Sequence, residues 1–229
     1  MILCAIVPSA GASRRMGRGL EKPYRLLNGK PLLIHSLLVL ERTPWVDEVV
    51  LVVARRRLGL AKRLMSRYRL RKVREVTAGG RTRTESVFRG ILRADPKADY
   101  LLVHDGARPI VSPALLTRVM RAARQSGAAI PALPVGPTIK EVSRGWVVRT
   151  LSREALWEVQ TPQIFRRSLL WKALNRRREE GTDCASLVER LGYRVKVVPG
   201  DPANIKVTTP LDLVVAEALL RQEQTRGNR

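Results

Sequence analysis

Ile2-Leu3-Cys4-Ala5-Ile6-Val7-Pro8-Ser9-Ala10-Gly11-Ala12-Ser13-Arg14-Arg15-Met16-Gly17, followed shortly by Glu21-Lys22-Pro23-Tyr24, sets the frame for the whole chain. Residues 2–7 are a near-continuous apolar run, the pattern of a strand buried on both faces. The run ends at Pro8 and gives way to small residues and then to arginines. In open α/β sheets ligands bind outside the carboxyl ends of the strands, which is where this loop falls. Small residues let backbone N–H groups approach phosphate oxygens, and Arg15 and Lys22 supply charge to neutralise them. An ordinary turn with solvated arginines is the competing reading, and the spacing and placement favour the phosphate cradle.

Working outward, apolar runs alternate with amphipathic stretches. A helix is expected at 31–40 with Pro31 near its first turn, a strand at 48–53, a helix at 61–68 and a short strand at 73–76 before the Gly79-Gly80 turn. A helix at 84–93, a strand at 100–104, a helix at 113–125 and a strand at 129–135 continue the rhythm. This predicts an α/β, Rossmann-like fold: a mainly parallel, doubly wound sheet covered on both faces. At 138–151 the pattern changes to short alternating segments around Ser143-Arg144-Gly145, a β-hairpin excursion and a candidate dimer arm. Helices at 167–178 and 184–191, a strand at 194–198 and a last helix from Pro210 to about Arg221 follow, with 222–229 expected to fray. The whole, 1–229, reads as one domain.

Composition narrows the function classes. The 229 residues are 45% apolar, enough for a real core. Residues 1–8 lack a basic leader and no apolar run approaches the ~20 residues of a membrane span, so a cytoplasmic protein without a membrane partner is expected. Cys4 and Cys184 read as reduced thiols, and His35 and His104 without Cys/His clustering give no zinc site. The formal charge of +23 invites a nucleic-acid reading. It is densest at 55–74, where ten basic residues meet no acid, yet only Tyr68 is available to stack on a base; a solvated helix face is the better reading and nucleic acid an unlikely partner.

Two rival phosphate motifs fail: Gly11 and Gly17 lack G-x-G-x-x-G spacing, and Gly79-Gly80-Arg81-Thr82-Arg83-Thr84 lacks the Gly-Lys-Ser/Thr ending of a P-loop. Three further segments carry chemistry. His104-Asp105-Gly106-Ala107-Arg108-Pro109 ends a strand, and its acid suits a hard divalent cation that keeps most of its waters, against an even alternative of a loop or capping acid. The 79–87 turn enters a helix and can present backbone groups to a base edge. Asn204-Ile205-Lys206-Val207-Thr208-Thr209-Pro210 brings a lysine before the last helix.

Taken in order, P-S-A-G-A-S-R-R-M-G, E-K-P-Y, G-G-R-T-R-T-E-S-V, V-H-D-G-A-R-P, T-P-Q and N-I-K-V-T-T-P-L-D-L resemble the 2-C-methyl-D-erythritol 4-phosphate cytidylyltransferases of the non-mevalonate isoprenoid pathway, over nearly the whole chain. The resemblance implies a fold of the nucleotidyltransferase type, transfer of CMP from CTP to the polyol phosphate with release of pyrophosphate, Mg2+ or another divalent cation, and a homodimer joined through a protruding β-arm. It implies that Arg15, Lys22 and Lys206 are catalytic; that Pro8, Ser9, Ala10, Gly11, Gly80, Ser86, Asp105 and Ala107 bind the nucleotide, Asp105 also the metal; and that Thr138, Arg153, Thr161 and Arg108, with Lys206, bind the acceptor. Thr138 and Arg153 would reach the partner's site from the arm. Arg81 and Ala203 depart from the pattern, since some relatives carry acids there. A sister enzyme acting on ribitol 5-phosphate is the nearest alternative. A phosphate monoester is already an anionic nucleophile, so no Ser/His/Asp set is expected; alignment and charge neutralisation are what such a reaction needs.

Overall fold

The computed structural model describes residues 1–11, 21–175 and 180–227. Strand β1 (Leu3–Ser9) is buried almost throughout and is an interior strand of the sheet. A small hairpin of β2 (Leu26–Leu27) and β3 (Lys30–Pro31), turned by Asn28 and Gly29 with positive φ, leads into α1 (Leu32–Arg42). An Asn-Gly pair is what such a two-residue turn demands, and the expected helix at 31–40 thus starts after Pro31. Then come β4 (Glu48–Val53), α2 (Leu58–Arg67), β5 (Val73–Ala78), α3 (Arg83–Ile91), β6 (Tyr100–Val103), α4 (Pro113–Ser126) and β7 (Ala128–Pro134). Helix α4 has all its terminal signals: Ser112 accepts from Leu115 N–H, Pro113 follows, and Gly127 closes it at φ 81°.

The arm is β8 (Ile139–Ser143) and β9 (Trp146–Leu151), turned by Arg144 and Gly145, both at positive φ. Among the described residues its two strands pair only with each other, and residues 140–150 are exposed. Two strands absent from the sequence reading follow, β10 (Trp157–Val159) and β11 (Gln163–Arg166), then α5 (Arg167–Asn175), α6 (Cys184–Glu189), β12 (Lys196–Pro199) and α7 (Pro210–Gly227). The end of the expected helix at 167–178 lies outside the described residues. Helix α7 runs as far as Gly227. No described helix is long and apolar enough to cross a membrane.

Strands β5, β4, β1 and β6 pair parallel in that order; β11 joins β6 antiparallel, β7 pairs antiparallel with β10 and β11, and β12 pairs parallel with β7. Alternation along β1 divides the core. Leu3, Ala5 and Val7 face α1, α2 and α4, while Cys4 and Ile6 face α3, α5 and α6. Helix α2 buries Ala61, Leu64 and Met65, one stripe at helical spacing, which turns Lys62, Arg63 and Arg67 outward. That accounts for three of the ten basic residues at 55–74 as a solvated helix face.

Candidate active site

Three loops meet at the carboxyl ends of β1, β5 and β6 at separations that only glycine allows. A Cβ on Gly79 would lie 2.3 Å from Ala10 Cβ, and one on Gly106 would lie 2.1 Å from Ser9 Oγ. The Gly79-Gly80 turn and the Asp105-Gly106-Ala107 loop therefore press directly on the Ser9–Gly11 loop. The Ser9 hydroxyl is buried and has no partner among the described residues. A buried hydroxyl without a partner costs about 1–3 kcal/mol, which a ligand would recover. Beside it opens a cavity of about 420 Å³, lined by Pro8, Ser9, Ala10, Gly11, Lys22, Gly80, Ser86, Asp105, Ala107 and Lys206, together with Pro23, Arg81, Thr82 and Arg83.

The turn on one wall is built by a capping box. Thr82 caps α3 by accepting from Glu85 N–H, while Glu85 Oε2 reaches back to Arg81 N–H at 2.7 Å. Ser86 accepts from Gly80 N–H and donates to the Thr82 carbonyl. Arg89 clamps the assembly from behind, bonding Glu85 at 2.6 Å and the Gly79 carbonyl at 2.8 Å. Arg81, one of the departures from the family pattern, has its N–H committed to this cap.

The floor is a charged cluster. Asp105 Oδ1 accepts from Arg83 Nη2 and Nε at 3.0 and 3.2 Å, and Oδ2 meets Lys206 Nζ at 2.6 Å. Burial alone would raise the Asp105 carboxyl, but Arg83 first and then Lys206 override it and hold it well below the usual carboxylate range. Its N–H donates to Thr161 Oγ1, which also bonds His104 Nδ1 at 3.1 Å. His104 is fully buried with Nε2 on the Arg108 carbonyl; burial pushes it down to about 4, so it stands neutral as a strut.

A second cavity, about 380 Å³, shares Arg83, Asp105 and Lys206 with the first and continues past Arg108, Thr161 and Gln163 to Asp183 and Glu189. Arg108, expected to bind the acceptor, lines this cavity with its guanidinium bonded to the carbonyls of Asn204 (2.7 Å) and Val159 (3.3 Å) and its Nε without a partner among the described residues. These bonds, with Val207 N–H to the Ala107 carbonyl at 2.9 Å, stitch the segment bearing Lys206 onto the loop bearing Asp105.

Of the residues singled out in the sequence, Pro8, Ser9, Ala10, Gly11, Lys22, Gly80, Ser86, Asp105, Ala107, Arg108, Thr161 and Lys206 line one cavity or both. Arg15 lies outside the described residues. Thr138 and Arg153 line neither; both are exposed at the feet of the arm, where Arg153 donates to the Gly136 carbonyl. Arg83 is the residue that sequence reasoning missed. Arg81 and Arg83 are the same residue type, and only the start of α3 decides that Arg83 reaches Asp105 on the floor while Arg81 stays exposed.

The model of the 2-C-methyl-D-erythritol 4-phosphate cytidylyltransferase family matches residues 3–222. The chain belongs to that family. Among its relatives, the cytidylyltransferase of this name from Syntrophus aciditrophicus is 45% identical over 227 residues, 97% of each chain, and that of Dehalococcoides mccartyi strain 195 is 44% identical over 219 residues, 95% of this chain and 96% of its own. Among solved structures, the Thermus thermophilus enzyme superposes with a TM-score of 0.79 at 35% identity, covering 96% of this chain and 100% of its own. The 4-diphosphocytidyl-2C-methyl-D-erythritol synthase from Anaerococcus prevotii reaches 0.83 at 29% identity, covering 96% and 98%. A cytidylyltransferase is a nucleotidyltransferase, and the paired cavities give this member room for two phosphorylated substrates.

Proposed function

We propose that this chain transfers CMP from CTP to 2-C-methyl-D-erythritol 4-phosphate, giving 4-diphosphocytidyl-2-C-methyl-D-erythritol and pyrophosphate for isoprenoid precursor synthesis. The observation that carries this reading is the seam between the cavities, where Arg83, Asp105 and Lys206 belong to both. A phosphate oxygen of the acceptor attacks the α-phosphorus of CTP there. The bond from that phosphorus to the bridging oxygen breaks, and pyrophosphate leaves with the electron pair. Lys22, joined in this reading by Arg15, neutralises the departing pyrophosphate, and Lys206 lies between the two polyanions. With the Gly80 N–H and the Ser86 hydroxyl proton already committed within the turn, the Gly80 carbonyl and the remaining lone pair of Ser86 Oγ are what face the cytosine edge in this reading, while Ser9 and Ala107 flank the nucleotide.

Asp105 fits a divalent cation of the Mg2+ type. It is ionised, it is within the triphosphate cavity, and although Oδ1 already accepts from Arg83 Nη2 and Nε, Oδ2 keeps a lone pair beyond the one used by Lys206. Among the described residues no three acids, histidines or cysteines cluster, so Asp105 would hold such an ion alone, with substrate phosphates and water completing the shell. When bound, the ion would draw the phosphate charge together and make the α-phosphorus more electrophilic. Thr161 and Arg108 shape the acceptor side. Thr138 and Arg153 complete it from a second copy, through a homodimer formed by the arm. Both substrates are small free anions, and we place the reaction in the cytoplasm. The test is pyrophosphate release with CTP, Mg2+ and each acceptor in turn: turnover with methylerythritol phosphate is expected, and turnover only with ribitol 5-phosphate would reassign the acceptor.

A further inference from the structure

Lys22 sits in a single 3-10 turn, Lys22–Tyr24, stiffened by Pro23 and closed by Tyr24 N–H on the Glu21 carbonyl at 2.9 Å. The residue before it is the acid of the E-K-P-Y motif. The Glu21 side chain is only 13% exposed, and its Oε1 takes Arg56 Nη2 at 2.7 Å, Arg56 Nε at 2.8 Å and Arg57 Nε at 3.2 Å. Arg57 also stands over the Tyr24 ring, 5.5 Å from its centroid. Both arginines belong to the short 3-10 turn Arg55–Arg57 just beyond β4, a rigid strand of the sheet.

We infer that Glu21 is a positioning residue for Lys22, held by Arg56 and Arg57, so that these two cations of the basic run at 55–74, although Arg56 is 70% exposed, also serve the triphosphate site. The inference rests on the reading of Lys22 as a triphosphate contact. An isolated surface ion pair would contribute little, but here one nearly buried carboxylate oxygen gathers three N–H groups and a cation–π contact fixes the second arginine. The latch joins the β1-side loop to the end of β4, and Lys22 lies one peptide from the joint. Displacement of a phosphate-binding group by about 1 Å costs up to about 10² in rate, so a loose latch acts on catalysis without touching substrate.

The test compares Glu21→Gln, Glu21→Asp, the double variant Arg56→Gln/Arg57→Gln, and the triple variant with Glu21→Gln. Lys62→Gln/Arg63→Gln, two exposed cations of α2, serves as a control for general loss of charge. CTP affinity is read by calorimetry without acceptor, and kcat and both KM values by pyrophosphate release. Glu21→Gln is expected to weaken CTP binding and kcat/KM for CTP by about ten- to a hundredfold, with acceptor KM and Tm nearly unchanged. Glu21→Asp should recover part of the loss, the triple variant should be no worse than Glu21→Gln, and the control should match the wild type. Additive losses, equal losses toward both substrates, or a control as impaired as the latch variants would overturn the inference. Because calorimetry needs no turnover, a wild-type chain that bound CTP but consumed no acceptor would refute the proposed reaction and still read the latch.

Discussion

The floor of the cleft and the arm are opposite kinds of structure. At the floor, Asp105, His104, Thr161 and Asn204 are buried, and one chain supplies their partners from separate segments. In the arm, Trp146 is 80% exposed, Val142, Val147 and Val148 are all more than half exposed, and among the described residues the two strands pair only with each other. An isolated two-stranded hairpin is marginal in water. The floor is thus bonded within a single polypeptide, whereas the arm presents apolar surface that no described residue of its own chain covers.

The sharpest break in that comparison would come from Lys22→Ala. Losing a contact to the departing pyrophosphate should lower turnover by about 10² to 10³ with the fold intact by circular dichroism; near-normal turnover would remove Lys22 from the mechanism. The floor's self-sufficiency has its own signature in acid. His104 titrates at about 4 when folded against about 6.5 when unfolded, so the unfolded chain takes up the proton first. Its contribution is intact above about pH 7 and declines as pH falls toward 4, by up to about 3 kcal/mol at about 1.4 kcal/mol per unit. Burial lowers His35 as well and adds to the same slope. Urea unfolding at about pH 7.5 and 4.5 should therefore show a shallower pH dependence in His104→Gln than in the wild type, and identical slopes would refute the assignment.

On the side of the arm, Arg153→Ala should raise acceptor KM about tenfold, the scale of one lost charged contact, and leave CTP affinity near normal. With acceptor far below its KM, where Arg153→Ala alone keeps about a tenth of the activity, mixing it with Lys22→Ala should raise activity to about a quarter of the wild type, because half of reassorted dimers are mixed and each has one site free of both substitutions. No recovery on mixing would mean that Arg153 serves its own chain. The smallest effect is expected at the tip. Trp146→Ser should weaken self-association by about 1–2 kcal/mol, measured by sedimentation, and an unchanged dissociation constant would place the interface elsewhere.

Much of this was legible in the sequence where burial and chemistry coincide. β4 coincides with its apolar run because both its faces are covered, and Gly79 and Gly106 sit where loops must touch. The misses have physical causes. β10 and β11 are three and four residues long, and each owes its state to pairing with β7, or with β6 and β7, rather than to periodicity. Arg83 was hidden because its orientation depends on where α3 begins. Arg108 lines the second cavity, and only the fold shows that two of its nitrogens bond carbonyls while Nε has no partner among the described residues. The arm was readable as a hairpin, but nothing in its own residues names what covers Trp146.

The stitching of Asn204 and Val207 onto the loop after β6 bears on the order of synthesis. The pocket's first lining residue is Pro8 and its last is Lys206. A nascent chain that has already paired β1, β4, β5 and β6 still holds Asp105 without its ammonium partner and Arg108 without the Asn204 carbonyl, 96 residues away. The nucleotide pocket opened at β1 is closed only when the segment bearing Asn204 and Lys206 is in place.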